Sequence, residues 1–203
     1  GLEEHEGKRF IVMELVEGKT VRNLAASQLS GGAPIDPARW TEIATQAAEG
    51  LAAAHARGIL HRDVKSDNLM MTADGRIKIM DFGLARMSDA ANLTRSGSTV
   101  GTLAYTAPEQ LRGEELTAAS DVFSLGVVLY EVLTGRLPWS DGPATAMLAR
   151  RLVEPTPRAR TLDPVIPAAV AAALLKAMAR EVDQRYETPA GFAAALGAGT
   201  GSG

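Results

Sequence analysis

The sequence predicts an α+β domain: a mainly helical body with two short hairpin strands and one edge strand. Three observations lead there. Residues 120–134 are a strongly apolar run closed by Gly135 and Pro138, the pattern of a buried helix. Ile43, Ala47, Leu51 and Ala54 recur at helical spacing behind Asp36-Pro37, a helix-start signal. Residues 69–71 (Leu-Met-Met) and 77–80 (Ile-Lys-Ile-Met) read as short strands around a turn that contains Asp74-Gly75, a hairpin signal.

Taken in order, residues 10–15 read as a strand, Thr20 to about Ser27 as a short helix, and 30–34 as a loop. The helix opened by Asp36 ends at Gly58. A polar loop at 61–68 leads into the hairpin. Residues 84–106 show no apolar period and carry Ser, Thr and Gly, so they predict a long loop, functional or disordered. After the apolar helix come a helix at 143–152, a Pro-rich loop at 154–164, and an Ala/Leu-rich helix at 168–180. Thr188 caps a last helix at 189–196, and the Gly-rich residues 197–203 predict a flexible linker.

Composition sets broad limits. The 203 residues are 46% hydrophobic and 22% charged, as in an ordinary globular domain. A net charge of −3 gives no bulk electrostatic support for nucleic-acid or acidic-membrane binding. With no cysteine, disulfide and thiolate chemistry are excluded, which fits a cytoplasmic location. No apolar run is long enough to span a bilayer, so no membrane contact is expected within the segment. Of the 21 basic residues only 5 are Lys, which gives weight to the amine at Lys65.

Two motifs carry the chemistry. Residues 61–68 read His-Arg-Asp-Val-Lys-Ser-Asp-Asn, and 81–83 read Asp-Phe-Gly. Residues 107–109, further on, read Ala-Pro-Glu. The competing reading is a solvated polar loop and a strand-ending Asp, but chance would have to match fixed positions in every motif. The set resembles that of protein kinases, H-R-D-x-K-x-x-N, D-F-G and A-P-E. The resemblance covers roughly residues 10–196. It points to the large, C-terminal lobe of a bacterial eukaryotic-type Ser/Thr protein kinase, as in Ala54-His-Ala-Arg-Gly-Ile-Leu-His-Arg-Asp63 and Thr106-Ala-Pro-Glu-Gln110.

That resemblance implies a protein-kinase-like fold and transfer of the ATP γ-phosphate to protein Ser/Thr hydroxyls. Asp63 would accept the hydroxyl proton, Lys65 would face the transferring phosphate, and Asn68 and Asp81 would hold Mg²⁺ (or Mn²⁺). Lys65 and Thr102 stand where Ser/Thr rather than Tyr kinases keep such residues. His61 would pack under Phe82, Asp121 would tie down the catalytic-loop backbone, and Arg185 would pair with Glu109. Residues 10–14 resemble the last small-lobe strand, with Met13 as gatekeeper. Glu14, Val16, Met70 and Met80 would meet the nucleotide. Arg62 belongs to members switched on by activation-segment phosphorylation, for which Thr94 and Ser96 are the candidate acceptors. Thr102 would instead bridge Asp63 and Lys65.

The departures are as informative. The chain has no G-x-G-x-x-G-x-V loop, no V-A-I-K strand and no helix bearing a paired Glu. It reads as 1–16, last small-lobe strand and hinge; 17–196, the large lobe; 197–203, a linker. A piece of a longer protein is expected, inactive alone, with a parent that a segment after residue 203 could anchor in a membrane. A kinase dimer partner is also a candidate. The alternative function is a pseudokinase-like scaffold, although such proteins usually lack at least one of Asp63, Lys65, Asn68 and Asp81. An aminoglycoside-type phosphotransferase would not need Ala107-Pro108-Glu109. Among other residues, His55 reads as packed or capping, Trp40 and Trp139 as core or edge, and Arg150-Arg151 as a solvated helix face, with substrate docking open.

Overall fold

The computed structural model describes residues 2–5, 8–31, 36–82 and 103–200. Strand β1 (Leu2–His5) pairs antiparallel with β2 (Lys8–Ile11), Leu2 opposite Ile11. The strand expected at 10–15 therefore ends early: β1 pairs no further than Leu2, and residues 12–17 carry no regular structure.

A second sheet has the order β3-β4-β5. Its hairpin, β4 (Leu69–Thr72) and β5 (Ile77–Ile79), stands where Asp74-Gly75 predicts it, with Gly75 at φ +80° in the turn. Strand β3 (Gly18–Thr20) is not foreseen by the sequence reading. It is three residues long and exists by pairing with β4. Gly18 permits that approach, since a Cβ there would lie 2.4 Å from the Met71 carbonyl oxygen.

Helix α1 (Val21–Ser30) is capped by Thr20, whose side chain accepts from the Asn23 N–H at 3.1 Å. Helix α2 (Pro37–His55) is capped by Asp36 and buries Trp40, Ile43, Ala47 and Leu51, with Ala54 half-buried. A short helix, α3 (Pro108–Arg112), stops at Gly113 in the left-handed region. Helix α4 (Ala118–Thr134) is buried nearly all round, as its unbroken apolar sequence requires. It packs closely on α6 (Ala168–Ala177): a Cβ on Gly126 would sit 2.9 Å from Met178 Cγ.

Helix α5 (Ala144–Val153) follows, and the Pro-rich loop after it holds one 3-10 turn, Ala159–Thr161. Helix α6 ends before the expected Arg180: the Ala179 N–H turns back to the Lys176 carbonyl at 3.2 Å, a tightened last turn, and the carbonyls of Ala179 and Arg180 beyond it accept from Arg185 at 2.7 and 2.9 Å. Helix α7 (Pro189–Thr200) runs past Leu196 into the residues read as a linker. Phe192 and Leu196 anchor it in the core, and each further residue adds a backbone bond to a helix already nucleated.

The core lies around α4, with α2 packed on α4 and α7. The N-terminal edge is much less covered. Phe10 and Val12 are 47% and 49% exposed, and Met70, Met80 and Phe82 are only half-buried. Among the described residues no helix is long and apolar enough to cross a membrane.

Candidate active site

The loop after α2 is held from below by one carboxylate. Asp121, in the first turn of α4, accepts the backbone N–H groups of His61 and Arg62, both at 2.8 Å. His55, at the end of α2, adds a third bond, its Nε2 2.7 Å from Asp121 Oδ2. The sequence reading placed His55 as a packed or capping group and missed this partner. Its position shortly before His61 was the only available signal.

Two non-glycine residues flanking the site sit in the left-handed region, Arg62 at φ +69° and Asp81 at φ +59°. Such conformations cost energy and persist where surrounding bonds over-determine them. For Arg62 those bonds are Asp121 at its N–H and the Gln110 side chain donating to its carbonyl at 3.2 Å. For Asp81 they lie on Met80, whose N–H donates to the Asn68 carbonyl at 2.8 Å.

His61 links the two motifs. Its Nδ1 accepts the Asp63 N–H at 3.2 Å, so its proton sits on Nε2, which donates to the Met80 carbonyl at 2.8 Å. Its ring lies 4.8 Å from that of Phe82, tilted by 53°. Both ring nitrogens are thereby engaged in holding backbone.

Asp63 receives the Lys65 ammonium at 2.6 Å and the Asn68 amide at 3.2 Å, both on Oδ2. The same Asn68 nitrogen also donates to the Asp63 carbonyl at 2.9 Å. Among the described residues Oδ1 of Asp63 and the amide oxygen of Asn68 are left as acceptors without a bonded side-chain donor. Asn68 and Asp81 leave the same end of the β4–β5 ladder. No group of three or more His, Cys, Asp or Glu gathers into a metal cage among the described residues. One carboxylate and one amide oxygen suit a cation that keeps waters and phosphates in its shell, as Mg²⁺ does.

Beside this lies an open cleft of about 340 Å³ lined by Met13, Glu14, Val16, Lys78, Ile79, Met80, Asp81 and Phe82. Glu14, Val16 and Met80, three of the residues expected to meet a nucleotide, line this cleft. Met70 faces Lys78 across the ladder but is not among the lining residues. Lys78 pairs with Glu14 across the cleft, an exposed contact of little energetic weight.

The segment after residue 102 closes the other side. The Tyr105 hydroxyl donates to Glu131 at 2.6 Å, meets Ser66 Oγ at 2.8 Å and accepts from Arg22 at 3.1 Å. Burial and the Glu131 carboxylate push Tyr105 above its ordinary range. Arg22 also pairs with Asp67 at 2.7 Å. Glu109 and Arg185 form a buried two-bond pair at 2.7 and 2.8 Å. Burial works against the Glu109 carboxylate, but hydrogen bonds from Arg185 and Ser120 outweigh it and hold its pKa below the ordinary value.

Arg151 corrects the sequence reading. It is not on a solvated face but 1% exposed. Its guanidinium donates to the carbonyls of Leu103 at 3.1 Å, Thr106 at 2.5 Å and also Ala104. It lies 5.8 Å from the Phe123 ring centroid and 5.4 Å from that of Trp139. Burial pushes its pKa down to about 10, still cationic at neutral pH. Thr94, Ser96 and Thr102 lie outside the described residues.

Comparison with known proteins agrees with this geometry. The protein kinase domain family matches residues 1–185. The serine/threonine-protein kinase PknB of Mycolicibacterium smegmatis is 42% identical over 190 residues, covering 92% of this chain and 30% of the relative. The PknB of Mycobacterium tuberculosis is 40% identical over 190 residues, 92% of this chain and 30% of the relative. The serine/threonine-protein kinase PrkC of Bacillus subtilis is 36% identical over 187 residues, 92% of this chain and 28% of the relative. The chain thus spans under a third of the length of these curated relatives. With an α+β fold and a match over most of its length, the chain belongs to the protein kinase domain family.

Proposed function

We propose that the parent protein is a bacterial Ser/Thr protein kinase that transfers the ATP γ-phosphate to protein hydroxyls, and that these 203 residues are chiefly its large lobe. The observation that carries this is the hydrogen-bonded set Asp63–Lys65–Asn68 joined to Met80-Asp81 and anchored on Asp121. In this reading Oδ1 of Asp63 takes the acceptor proton while Lys65 and Asn68 fix the carboxylate's orientation. Lys65 also offers positive charge to the transferring group. Asn68 and Asp81 would hold Mg²⁺ (or Mn²⁺), which when bound neutralises phosphate charge. Positioning and electrostatics are the main protein contributions to such transfer.

Serine and threonine rather than tyrosine acceptors are supported by Lys65 and Thr102 and by the relatives' names. Arg62 supports a phosphorylation switch at Thr94 and Ser96. Its Nε is buried and meets no acceptor among the described residues, so the guanidinium has a donor to offer an anion. A cytoplasmic kinase domain, with the parent anchored elsewhere, is the matching placement.

The test uses the full-length protein with Mg-ATP and Ser/Thr or Tyr peptides. Phosphate should go to Ser/Thr, and Asp63→Asn should lower kcat by about 100-fold or more. Unimpaired transfer by that variant would refute the assignment, and absence of any transfer by the wild type would favour a scaffold. Purified 1–203, which holds no Gly-rich loop or V-A-I-K lysine, should transfer negligibly.

A further inference from the structure

We propose that Arg151 is a positioning residue for the phosphoacceptor side of the site, acting through the backbone of residues 103–106. The proposal rests on the kinase reading for what it positions, and on geometry alone for how.

A buried guanidinium without a carboxylate is costly, because its charge leaves water with only neutral partners in return. Among the described residues Arg151 has none: its partners are three carbonyls and two aromatic faces. Its Nε meets no acceptor there either. A Leu or Met at 151 would suit the Phe123 and Trp139 rings without that cost. What only a multi-donor cation supplies is simultaneous bonding to the carbonyls of Leu103, Ala104 and Thr106. The turn points all three the same way, and its internal bond, Thr106 N–H to Leu103 carbonyl at 3.3 Å, is long.

The other side of this turn faces the catalytic loop. Tyr105 reaches Ser66, which lies between Lys65 and Asn68, at 2.8 Å. Gln110, on the helix that follows, donates to the Arg62 carbonyl. A continuous set of bonds therefore runs from α5 through Arg151 to residues 103–106, then through Tyr105 to the loop bearing Asp63. The nucleotide cleft shares no lining residue with it. Loosening the turn should disturb where an acceptor hydroxyl meets Asp63 and leave nucleotide binding alone.

The experiment uses the full-length protein with Arg151→Met, Arg151→Gln and Arg151→Lys. Acceptor-peptide KM, ATP KM and kcat are measured, with hydrogen exchange at 103–107 and 77–82. Arg151→Met should raise acceptor KM about 10-fold or more and leave ATP KM within about 2-fold. It should speed exchange at 103–107 and leave 77–82 unchanged. Arg151→Lys, with three N–H donors but no planar fork, should recover part of the loss. If Arg151→Met does not fold, Arg151→Gln takes its place with the same expected direction. Unchanged acceptor KM, or equal shifts in both KM values, would overturn the proposal. If the wild type transfers no phosphate, the kinase reading fails, and exchange alone decides the positioning: unchanged protection at 103–107 overturns it.

Discussion

Arg185 and Arg151 are both buried, both lie against the Phe123 ring, and both hold the stretch that contains Ala107-Pro108-Glu109, yet they meet the cost of burial differently. Arg185 has a carboxylate, Glu109, in a two-bond fork, plus the carbonyls of Ala119, Ala179 and Arg180. Arg151 has carbonyls and rings only. The first arrangement is a matched ion pair whose members depend on each other. The second is a cation held by dipoles, and its neighbours stay neutral if it is removed. The comparison teaches that burial of a charge says little by itself; what would be left behind decides how much each residue contributes.

The largest expected effect follows from that. Glu109→Ala leaves the Arg185 charge buried and unpaired, so it should cost about 3–5 kcal/mol in denaturant unfolding. Arg151→Met leaves unpaired carbonyls but no charge, and fills the space with an apolar chain. It should cost only about 1–2 kcal/mol. Equal losses would break the distinction between the two sites.

Acid should separate them next. The folded-state pKa of Glu109 is held below its unfolded value near 4.5, so its contribution is fully present above that pH. It is lost as pH falls through the folded value. The unfolding midpoint should therefore fall less steeply below pH 4.5 in Glu109→Gln than in wild type. Arg151→Met should keep the wild-type acid slope, because no carboxylate among the described residues pairs with Arg151. The smallest effect belongs to Arg150. It is partly exposed, with Asp141 at 4.0 Å and Glu154 at 3.7 Å, and Arg150→Ala should change stability by no more than about 0.5 kcal/mol.

These arginines also mark where sequence reading succeeded. Arg185 was legible because its partner stands in a recognisable tripeptide, and Asp121 because it opens an unmistakably apolar helix. His61 over Phe82 and the Asn68–Met80 bond follow from a short hairpin whose turn is written in Asp74-Gly75. Arg151 was not legible: its partners are backbone carbonyls, which every residue carries. Adjacent to Arg150, it read as one face of an exposed helix. His55 was missed for a related reason, since its partner Asp121 lies on a helix far along the chain.

By itself the sequence determined the α+β class, the long helices and the hairpin, and the residue types gathered around Asp63, because periodicity, caps and turn chemistry act between near neighbours; the short α3 was not read from it. The tertiary structure alone decided that β3 forms against β4, that α6 stops at Ala177 with Arg185 bonded to the carbonyls just beyond it, and that α7 continues to Thr200. It also decided that one of two adjacent arginines turns inward to three carbonyls and two rings while the other stays at the surface. A long side chain's partner is set by which distant surfaces packing brings within its reach, and local chain preferences carry no information about that.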